Sequence, residues 1–381
     1  MVSNKIMLTF LFLLAFLPSY PLPVIKTFAP LVLFTCIVFF KLIHCNFKIP
    51  VIVLYVFVLS LNGVFLSSLV GEGDLAAIAK EFVRANSLIV FLFLIGGVVT
   101  VNTTKLIKAL WFIIIFNFVL VLFQFNEFEF TIIYTQANAE MPFFRPAGIM
   151  GNPNLTAFFI SCLLILFSFE ERFSRRFFAV LIGIATGLLI QSRSGLLLIG
   201  LSTFYVLSFG SGSRRFIVSA LFVAITLFVV NSTFFWGGGE SVLGEKLSYL
   251  TSTFNSNKLT DISSVALRME LWSSALNKMS SVIFGGAIYE TTLVVDSEYI
   301  YTYTHRGIYG LVIYFFIFSF VYFKLAPNVR GRWLFLSFMV IVCSVQAETI
   351  SSVLHSSIIG ITLLIMNARK DKHENEFINE H

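Results

Sequence analysis

The chain has 381 residues and a net charge of +6, and 57% of its residues are hydrophobic while only 12% are charged. This balance excludes a soluble globular protein, because so much apolar surface cannot be hidden in one water-soluble core. It also argues against nucleic-acid binding, since the basic residues lie in short turns between apolar runs and share no single helix or sheet face.

Apolar runs long enough to cross a bilayer recur along the whole chain. A membrane-spanning helix needs about 20 apolar residues, because each residue adds about 1.5 Å to a hydrocarbon path of about 30 Å. The runs are Met7–Tyr20, Phe28–Ile43, Ile49–Val70, Asn86–Val101, Leu106–Phe123, Asn154–Phe169, Phe177–Gln191, Ser194–Phe209, Phe216–Phe235, Ile308–Leu325, Trp333–Ala347 and Ser351–Met366. We therefore predict an all-α polytopic membrane protein, a single integral membrane domain over residues 1–381 with about 12 transmembrane helices.

The Lys and Arg residues indicate how these predicted spans are oriented. With a cytoplasmic N-terminus, 16 of the 26 lie in cytoplasmic turns or in the charged tail 369–381. The other ten face outward, and five of these belong to the polar segment 236–306, a long loop that is translocated largely regardless of its charge. The informative comparison is between the 16 Lys and Arg residues on the cytoplasmic side and the 5 in the shorter outward segments. This excess predicts that both termini are cytoplasmic and that residues 236–306, between spans nine and ten, form an extracytoplasmic loop.

Two shorter outward segments have their own pattern. Residues 75–84 place apolar and charged side chains on different helical faces, which predicts a helix lying along the membrane surface, with an architectural role and no chemistry. Residues 126–153 end in a turn-rich Gly-Asn-Pro-Asn sequence. That sequence predicts the start of span six, with Asn152 or Asn154 as the N-cap.

Arginines of the outward segments are the candidate functional residues. Arg193 lies in the Ser192–Gly195 turn, which is so short that spans seven and eight must meet there and hold the guanidinium at the outer membrane boundary. Arg268 and Trp272 are four residues apart, which puts them on one face of a short helix. Both arginines also have a simple explanation: Arg193 as a residue reaching from a helix end to the membrane interface, and Arg268 as a solvated loop charge.

A larger pattern appears when these residues are taken together with the neighbouring turns. The ordered set is Arg145, the 151–154 turn, the 192–195 turn, Arg268 with Trp272, Phe284-Gly285-Gly286, and Asp296-Ser297 followed nine residues later by Gly307-Ile308-Tyr309-Gly310. In order and spacing this set resembles the O-antigen ligase and polymerase superfamily of bacterial membrane glycosyltransferases. The resemblance covers residues 145–323, and no single motif in it is specific.

The resemblance implies a membrane glycosyltransferase fold of the GT-C type in the bacterial cytoplasmic membrane. Members act on the outer face upon sugars carried by undecaprenyl pyrophosphate, with a pair of basic residues on the pyrophosphate and with neither a cofactor nor an essential metal. The pair here would be Arg193 and Arg268. Bidentate guanidinium groups suit phosphate oxygens and stay charged at any pH, so the chemistry is consistent with that assignment. Expected partners are the lipid-linked oligosaccharides, membrane lipid, a flippase and a chain-length regulator, and no nucleic acid.

One position departs from the ligase pattern and favours a polymerase of O-antigen, capsule or other surface polysaccharide. Ligases carry His at the start of the last outward motif, where this chain has Asp296. Asp296 would accept the proton of an attacking sugar hydroxyl, with Glu298 and His305 as alternative bases; it would otherwise cap a helix or bind a sugar hydroxyl. The predicted catalytic residues are Asp296, Arg193 and Arg268. The predicted substrate-binding residues are Arg193, Arg268, Arg145, Arg306, Trp272, Glu298 and His305.

Two other functions remain open on the sequence. A ligase would share the arginine assignments and differ in its acceptor. A polysaccharide flippase or secondary transporter would share the span count, and it should carry ionisable groups within its spans and broken helices in repeated halves.

The orientation can be tested with reporter fusions. We expect fusions after Gly239 and after Lys258 to be active with alkaline phosphatase, which folds outside, and fusions at Arg175 and Lys370 to be active with a fluorescent protein that folds in the cytoplasm. A cytoplasmic 236–306 segment would remove every outward site assignment made above.

Overall fold

The structure is a computed structural model, and it describes residues 4–18, 23–44, 51–70, 75–92, 102–134, 146–190, 192–208, 263–286, 297–325, 327–345, 349 and 352–367. Within those ranges every named element is a helix, and the β pairing is one isolated bridge between Ser281 and Gly285. The predicted all-α class is confirmed.

The helices follow the apolar runs of the sequence. They are α1 Asn4–Phe16, α2 Pro23–His44, α3 Val51–Val70, α4 Leu75–Leu92, α5 Thr103–Phe125, α6 Pro153–Phe167, α7 Phe173–Ile190, α8 Arg193–Leu207, α9 Ser263–Asn277, α10 Glu298–Lys324, α11 Pro327–Ser344 and α12 Val353–Asn367. Short 3₁₀ helices occupy Glu129–Tyr134 and Gly148–Met150. Each predicted span overlaps a helix except Phe216–Phe235, which lies outside the described residues, as does the 93–101 part of the span Asn86–Val101.

Several of these helices have the length and exposed surface of membrane spans. Four are long and apolar enough to cross a bilayer, at Val53–Val70, Thr104–Phe125, Phe173–Ile190 and Glu298–Lys324. On α3, Tyr55, Phe65 and Leu69 are 65%, 59% and 66% exposed. Exposed apolar faces of this extent are stable in the hydrocarbon interior of a lipid bilayer and not in water, so the chain is an α-helical membrane protein. The prediction of about 12 spans with a GT-C arrangement stays a prediction.

Helix α4 differs from the prediction for residues 75–101. The sequence predicts a surface helix at 75–84 followed by a separate span from Asn86, whereas the structure has one continuous helix from Leu75 to Leu92. Ala77, Glu81 and Ala85 are buried along it. One face of the first part of α4 is therefore buried, while Leu75 and Lys80 on this part of the helix are exposed. An amphipathic pattern is the same whether its polar face meets water or a polar group of another helix, so the sequence did not reveal the buried contacts of Glu81, and the surface location stays a prediction.

The chain forms two compact units, and the first comprises residues 1–17, 22–106 and 268–381. In this unit α4 packs mainly on α3 and α12, and α10 packs on α3 and α11. Helix α12 is buried on every side from Val353 to Met366. A helix that is buried on all sides lies at the centre of such a bundle, so α12 is the core element of this unit.

The second unit comprises residues 18–21 and 107–267. Its central helix is α6, which is buried from Leu155 to Phe167 and packs closely on α8 and α7. The approach of α6 to α8 is close because Gly195 has no side chain: a Cβ there would lie 2.5 Å from the Ala157 Cβ. The two helices consequently meet near their N-terminal ends.

Helix α10 is broken at Gly307, where φ is 64° and ψ is −160°. The backbone amides of Ile308 and Tyr309 donate instead to the carbonyl oxygens of Val282 and Ile283, at 3.0 and 3.1 Å. The turn that follows α9 is thus inserted into the break. The predicted outward loop 236–306 therefore ends in a helical segment, Glu298–Arg306, that belongs to the buried core of the first unit.

Substituting Gly307 by Ala should destabilise the protein severely. A Cβ at this position would lie 2.1 Å from the Ile283 carbonyl oxygen, and the positive φ alone strains an L residue by about 1–3 kcal/mol. We expect a clear drop in the thermal unfolding midpoint of the purified protein. Gly331→Ala on α11 is the matched control, since nothing lies within 4 Å of its Cβ position. An equal drop in both variants would contradict the role of the break.

Candidate functional site

In the first unit, three of the predicted motifs converge on the first half of α10. Trp272 and Ala275 of α9 pack against Tyr301 and Ile300. The Phe284-Gly285-Gly286 turn lies against the end of the same segment, and a Cβ on Gly285 would lie 2.5 Å from the carbonyl carbon of His305. The helix that carries Arg268, the double-glycine turn and the 307–310 motif are therefore parts of one assembly.

A buried ion pair lies at the centre of this assembly. Arg306 Nε of α10 is 3.0 Å from Glu81 Oε1 of α4, and the two side chains are 8% and 3% exposed. The Nε–H does not point along this contact, so the attraction is mainly coulombic. The Tyr301 hydroxyl donates a hydrogen bond to the other oxygen, Glu81 Oε2. A buried charge is costly unless it is paired, so the Glu81 carboxylate fixes α4 against α10.

The Tyr301 ring lies between the Arg84 guanidinium and the His305 ring. The Arg84 guanidinium is 4.3 Å from the centre of its ring, and the His305 ring is stacked on it at 4.0 Å. Two groups this close to one ring centre must occupy opposite faces. His305 Nδ1 lies 3.0 Å from the Tyr301 carbonyl oxygen. A carbonyl only accepts, so this hydrogen bond assigns the proton to Nδ1 and leaves Nε2 as the acceptor nitrogen.

Glu298 extends the polar network to the start of α10. Its carboxylate accepts from Thr302 Oγ1 at 2.7 Å and from the Thr349 backbone N–H at 2.8 Å, and the residue is 0% exposed. Thr302 Oγ1 also accepts from Arg306 Nη2 at 3.5 Å. Both carboxylate oxygens of Glu298 are thus occupied. This side chain holds the first turn of α10 to the residue that precedes α12.

In the second unit, two amide side chains of α5 hold the turn that precedes α6. Gln124 Oε1 accepts from the backbone N–H groups of Ala147 and Gly148 at 3.0 and 2.7 Å. Asn117 Oδ1 accepts from the Ile149 N–H at 3.0 Å. The sequence interpretation missed both residues. Their signal was available, because amides inside an otherwise apolar run need buried hydrogen-bond partners.

The 151–154 and 192–195 turns meet where α6 and α8 begin. Asn152 is the N-cap of α6 and accepts from the Asn154 N–H at 2.9 Å, as predicted for one of the two asparagines. Ser192 is the N-cap of α8, and its hydroxyl donates to Asn154 Oδ1 at 2.5 Å. Arg193 is the first residue of α8. The first N–H groups of both helices are already used by these caps. The partial positive charge of two adjacent N-termini nevertheless favours an anion near them.

The predicted site residues fall into three groups. Arg268 and Trp272 lie on α9 with partly buried side chains, as the predicted short helix requires. Arg306, Glu298 and His305 are buried in the network around Tyr301. Arg193 starts α8 in the second unit, while Asp296 and Arg145 lie outside the described residues.

Burial changes what three of these residues are expected to do. Arg306, Glu298 and His305 are predicted to bind substrate directly, but in the structure their side chains make contacts within the protein. The structure favours a supporting role for them, and direct binding stays a prediction.

Two residues that the sequence interpretation treated as architecture belong to the same network. Glu81 and Arg84 are three residues apart on α4, and they contact Arg306 and Tyr301. Ionisable residues within a helix of a membrane protein are costly and are retained for pairing or function. The signal in the sequence was therefore the presence of Glu81 and Arg84 in a helix that continues directly into apolar residues.

Comparison with known proteins identifies neither a family nor a function for this chain. A search against protein-family models and a search of curated proteins both find no match to this chain. The functional argument consequently depends on the order of the motifs and on the geometry of the two units.

Removing one partner of the Glu81–Arg306 pair should destabilise the protein more than removing both. Arg306→Met leaves a buried carboxylate without its ion-pair partner, and a broken buried pair costs about 3–5 kcal/mol. The Glu81→Met, Arg306→Met double variant should recover much of that loss. Denaturant unfolding of the purified protein measures both. Arg175→Ala is the control, because the Arg175 side chain is 50% exposed in its 3.5 Å contact with Glu170, and an ion pair with a solvent-exposed partner contributes about 0–1 kcal/mol. Additive losses in the double variant would contradict a direct interaction.

Proposed function

We propose that this protein is a surface-polysaccharide polymerase, a membrane glycosyltransferase that joins repeat units carried on undecaprenyl pyrophosphate. The observation that carries the proposal is the contact between the 151–154 and 192–195 turns, with Ser192 Oγ 2.5 Å from Asn154 Oδ1. That contact sets the N-termini of α6 and α8 side by side, with Arg193 in the first turn of α8. An arginine beside two helix N-termini suits a pyrophosphate.

The first unit supports the same proposal from a separate region. Arg268 lies one helical turn before Trp272, and Trp272 packs against the buried cluster of Ala275 and Tyr301. Helix α9 is therefore held in place by the packing of Trp272 and Ala275, and the Arg268 side chain on it is half-buried. A basic side chain on a fixed helix loses less entropy on binding a phosphate than one on a flexible loop.

The proposed architecture follows the sequence prediction. It has about 12 spans in a GT-C arrangement, with both termini in the cytoplasm and the 236–306 segment outside the bacterial cytoplasmic membrane. The proposed substrates are undecaprenyl-pyrophosphate-linked oligosaccharides. A flippase would deliver these substrates, and a chain-length regulator would act on the product.

In the proposed reaction, a hydroxyl of a lipid-linked repeat unit attacks the anomeric carbon of a lipid-linked polymer. A new carbon–oxygen glycosidic bond forms. The bond from that carbon to the pyrophosphate breaks, and its electron pair leaves with undecaprenyl pyrophosphate. The hydroxyl proton passes to Asp296 as general base. Arg193 and Arg268 stabilise the charge that develops on the leaving pyrophosphate.

The buried residues of α10 would act through their neighbours in this reaction. Glu298 holds the first turn of α10, directly after Asp296 and Ser297. Arg306 is held by Glu81 and ends the segment at the helix break. We therefore assign Glu298, His305 and Arg306 as positioning residues, and Asp296 as the base.

A lipid-linked-glycan flippase or transporter is the second candidate. The break of α10 at Gly307 and the buried ions Glu81 and Arg306 are features of transporters, whose sites are formed by discontinuous helices. Internal repeats, which many transporters have, are not evident in the sequence. The polymerase remains the preferred function because the ordered motifs include the start of α8, which carries Arg193, and the helix α9, which carries Arg268.

Replacing either arginine of the proposed pair should abolish polymer formation. Arg193→Ala and Arg268→Ala each remove a contact to developing charge, which costs on the order of 3 kcal/mol or more in the barrier. Arg→Lys should also be poor, because a point charge replaces a planar fork. Chain length is measured on gels of extracted glycan, at equal protein level in the membrane. Arg175→Ala, on the predicted cytoplasmic side, is the control, and wild-type polymer from both alanine variants would refute the assignment.

Deletion of the gene separates the candidate functions by the product that remains. Without a polymerase, the surface glycan should carry a single repeat unit, because single units can still be flipped and attached. Without a ligase, no glycan would be attached and long lipid-linked chains would accumulate outside. Without a flippase, lipid-linked single units would accumulate inside. We expect the first result, measured by glycan gels together with mass spectrometry of the lipid-linked pool.

A further inference from the structure

We propose that Asn154 of α6 is a positioning residue for Arg193, one of the two arginines proposed to bind the pyrophosphate. This inference rests on the proposed function and adds to it a side chain that fixes the backbone of that arginine. It follows from the contacts that the Asn154 amide oxygen makes with the residues on both sides of Arg193.

One oxygen of Asn154 is contacted from both sides of Arg193. Ser192 Oγ donates to Asn154 Oδ1 at 2.5 Å, and Ser194 Oγ donates to the same oxygen at 3.5 Å. Ser192 and Ser194 are the residues directly before and after Arg193. A carbonyl oxygen has two lone pairs, so it can accept both hydroxyl protons. The backbone of Arg193 is therefore bracketed by two contacts with α6.

The hydroxyl protons of this cluster all point toward Asn154 or its partner. The Ser192 hydroxyl has one proton, which it donates to Asn154. Ser192 Oγ accepts from the Gly195 N–H at 2.9 Å, so it is also the acceptor in its 3.4 Å contact with Ser194 Oγ. Asn154 Oδ1 is consequently the acceptor at which this chain of donors ends. Without it, the Ser192 proton loses its acceptor.

Both helices are held where this contact forms. The backbone N–H of Asn154 donates to Asn152 Oδ1, the cap of α6, at 2.9 Å. On the side of α8, a Cβ at Gly195 would lie 2.5 Å from the Ala157 Cβ and 2.7 Å from Ser192 Oγ. A short amide side chain can bridge two helices only at such a close approach. The contact therefore joins two backbones that are already restrained.

A fixed backbone matters for Arg193 because its side chain is long. The reach of a guanidinium depends on where its main chain is held, and a side chain on a fixed element loses less entropy when it binds a ligand. A small displacement of a binding group also costs much of its effect on the reaction. Asn154 needs no contact with the pyrophosphate for this purpose, since it acts through Arg193.

The test is binding of undecaprenyl pyrophosphate and of undecaprenol to the purified full-length protein in lipid nanodiscs. Asn154→Ala should weaken pyrophosphate binding by about 10- to 100-fold, the effect of losing a hydrogen bond to a charged group, and should leave undecaprenol binding unchanged. In an Arg193→Gln background, Asn154→Ala should change pyrophosphate binding by less than about twofold, because a residue that acts through Arg193 then has nothing to position.

Ser194→Ala is a milder second variant. It removes only the longer of the two contacts, from a partly buried side chain. We expect a smaller loss of pyrophosphate affinity, and no added loss when it is combined with Asn154→Ala. Asn126→Ala is the matched control, since the exposed Asn126 amide donates to the Leu122 carbonyl oxygen of α5 at 2.8 Å. This control should bind both lipids like the wild type.

The remaining outcomes separate the inference from the proposed function. Wild-type pyrophosphate affinity in Asn154→Ala and Ser194→Ala, with a loss in Arg193→Gln, would overturn the inference and leave the proposed function standing. So would a further loss when Asn154→Ala is added to Arg193→Gln, or an equal loss for undecaprenol, since either shows a role that does not pass through Arg193. If Asn154→Ala does not fold, Ser194→Ala in the two backgrounds decides in the same way. Wild-type affinity in Arg193→Gln would overturn the proposed function and the inference with it.

Discussion

The ion pair between Glu81 and Arg306 is the interaction on which the first unit depends. A carboxylate and a guanidinium at 3% and 8% exposure are tolerated only as partners, so the pair joins α4 to α10 through their side chains. The Tyr301 hydroxyl of α10 occupies the remaining carboxylate oxygen. The Tyr301 ring in turn has Arg84 on one face and His305 on the other, and Trp272 packs against the cluster of Ala275 and Tyr301. One paired charge thus organises four side chains from three helices.

Local features of the sequence were sufficient to predict the local structure. The helix with Arg268 and Trp272 and the cap at Asn152 were both predicted from residue spacing, because a helix and its cap depend on neighbours within four residues. The Glu81 network could not be predicted in this way. Its partners lie far along the chain, since Tyr301 is 220 positions after Glu81, and no local periodicity encodes such a pairing. Its only signal was the cost of placing charge in an apolar run.

The predicted end of the 236–306 loop shows another limit of prediction from sequence. Polarity from 236 to 306 indicates an outward loop, and the last part of that segment is instead a buried helix, because its polar groups satisfy one another. Thr302, Glu298 and the Thr349 amide form one hydrogen-bonded set, and Thr304 and His305 bond to the backbone of Tyr301. Composition reports the polarity of a residue but not whether its partner is water or protein.

The break at Gly307 has a consequence for the order in which the protein assembles. The part of α10 after the break satisfies its own hydrogen bonds and can enter the bilayer as soon as it is synthesised. The Ile308 and Tyr309 amides obtain their acceptors only from the Val282 and Ile283 carbonyls. Those carbonyls precede the span in the chain and, in the predicted topology, must first cross the membrane. The first turn of the span can therefore be completed only when both the span and the 282–283 turn are in place, and in the predicted topology this last step occurs on the outer side.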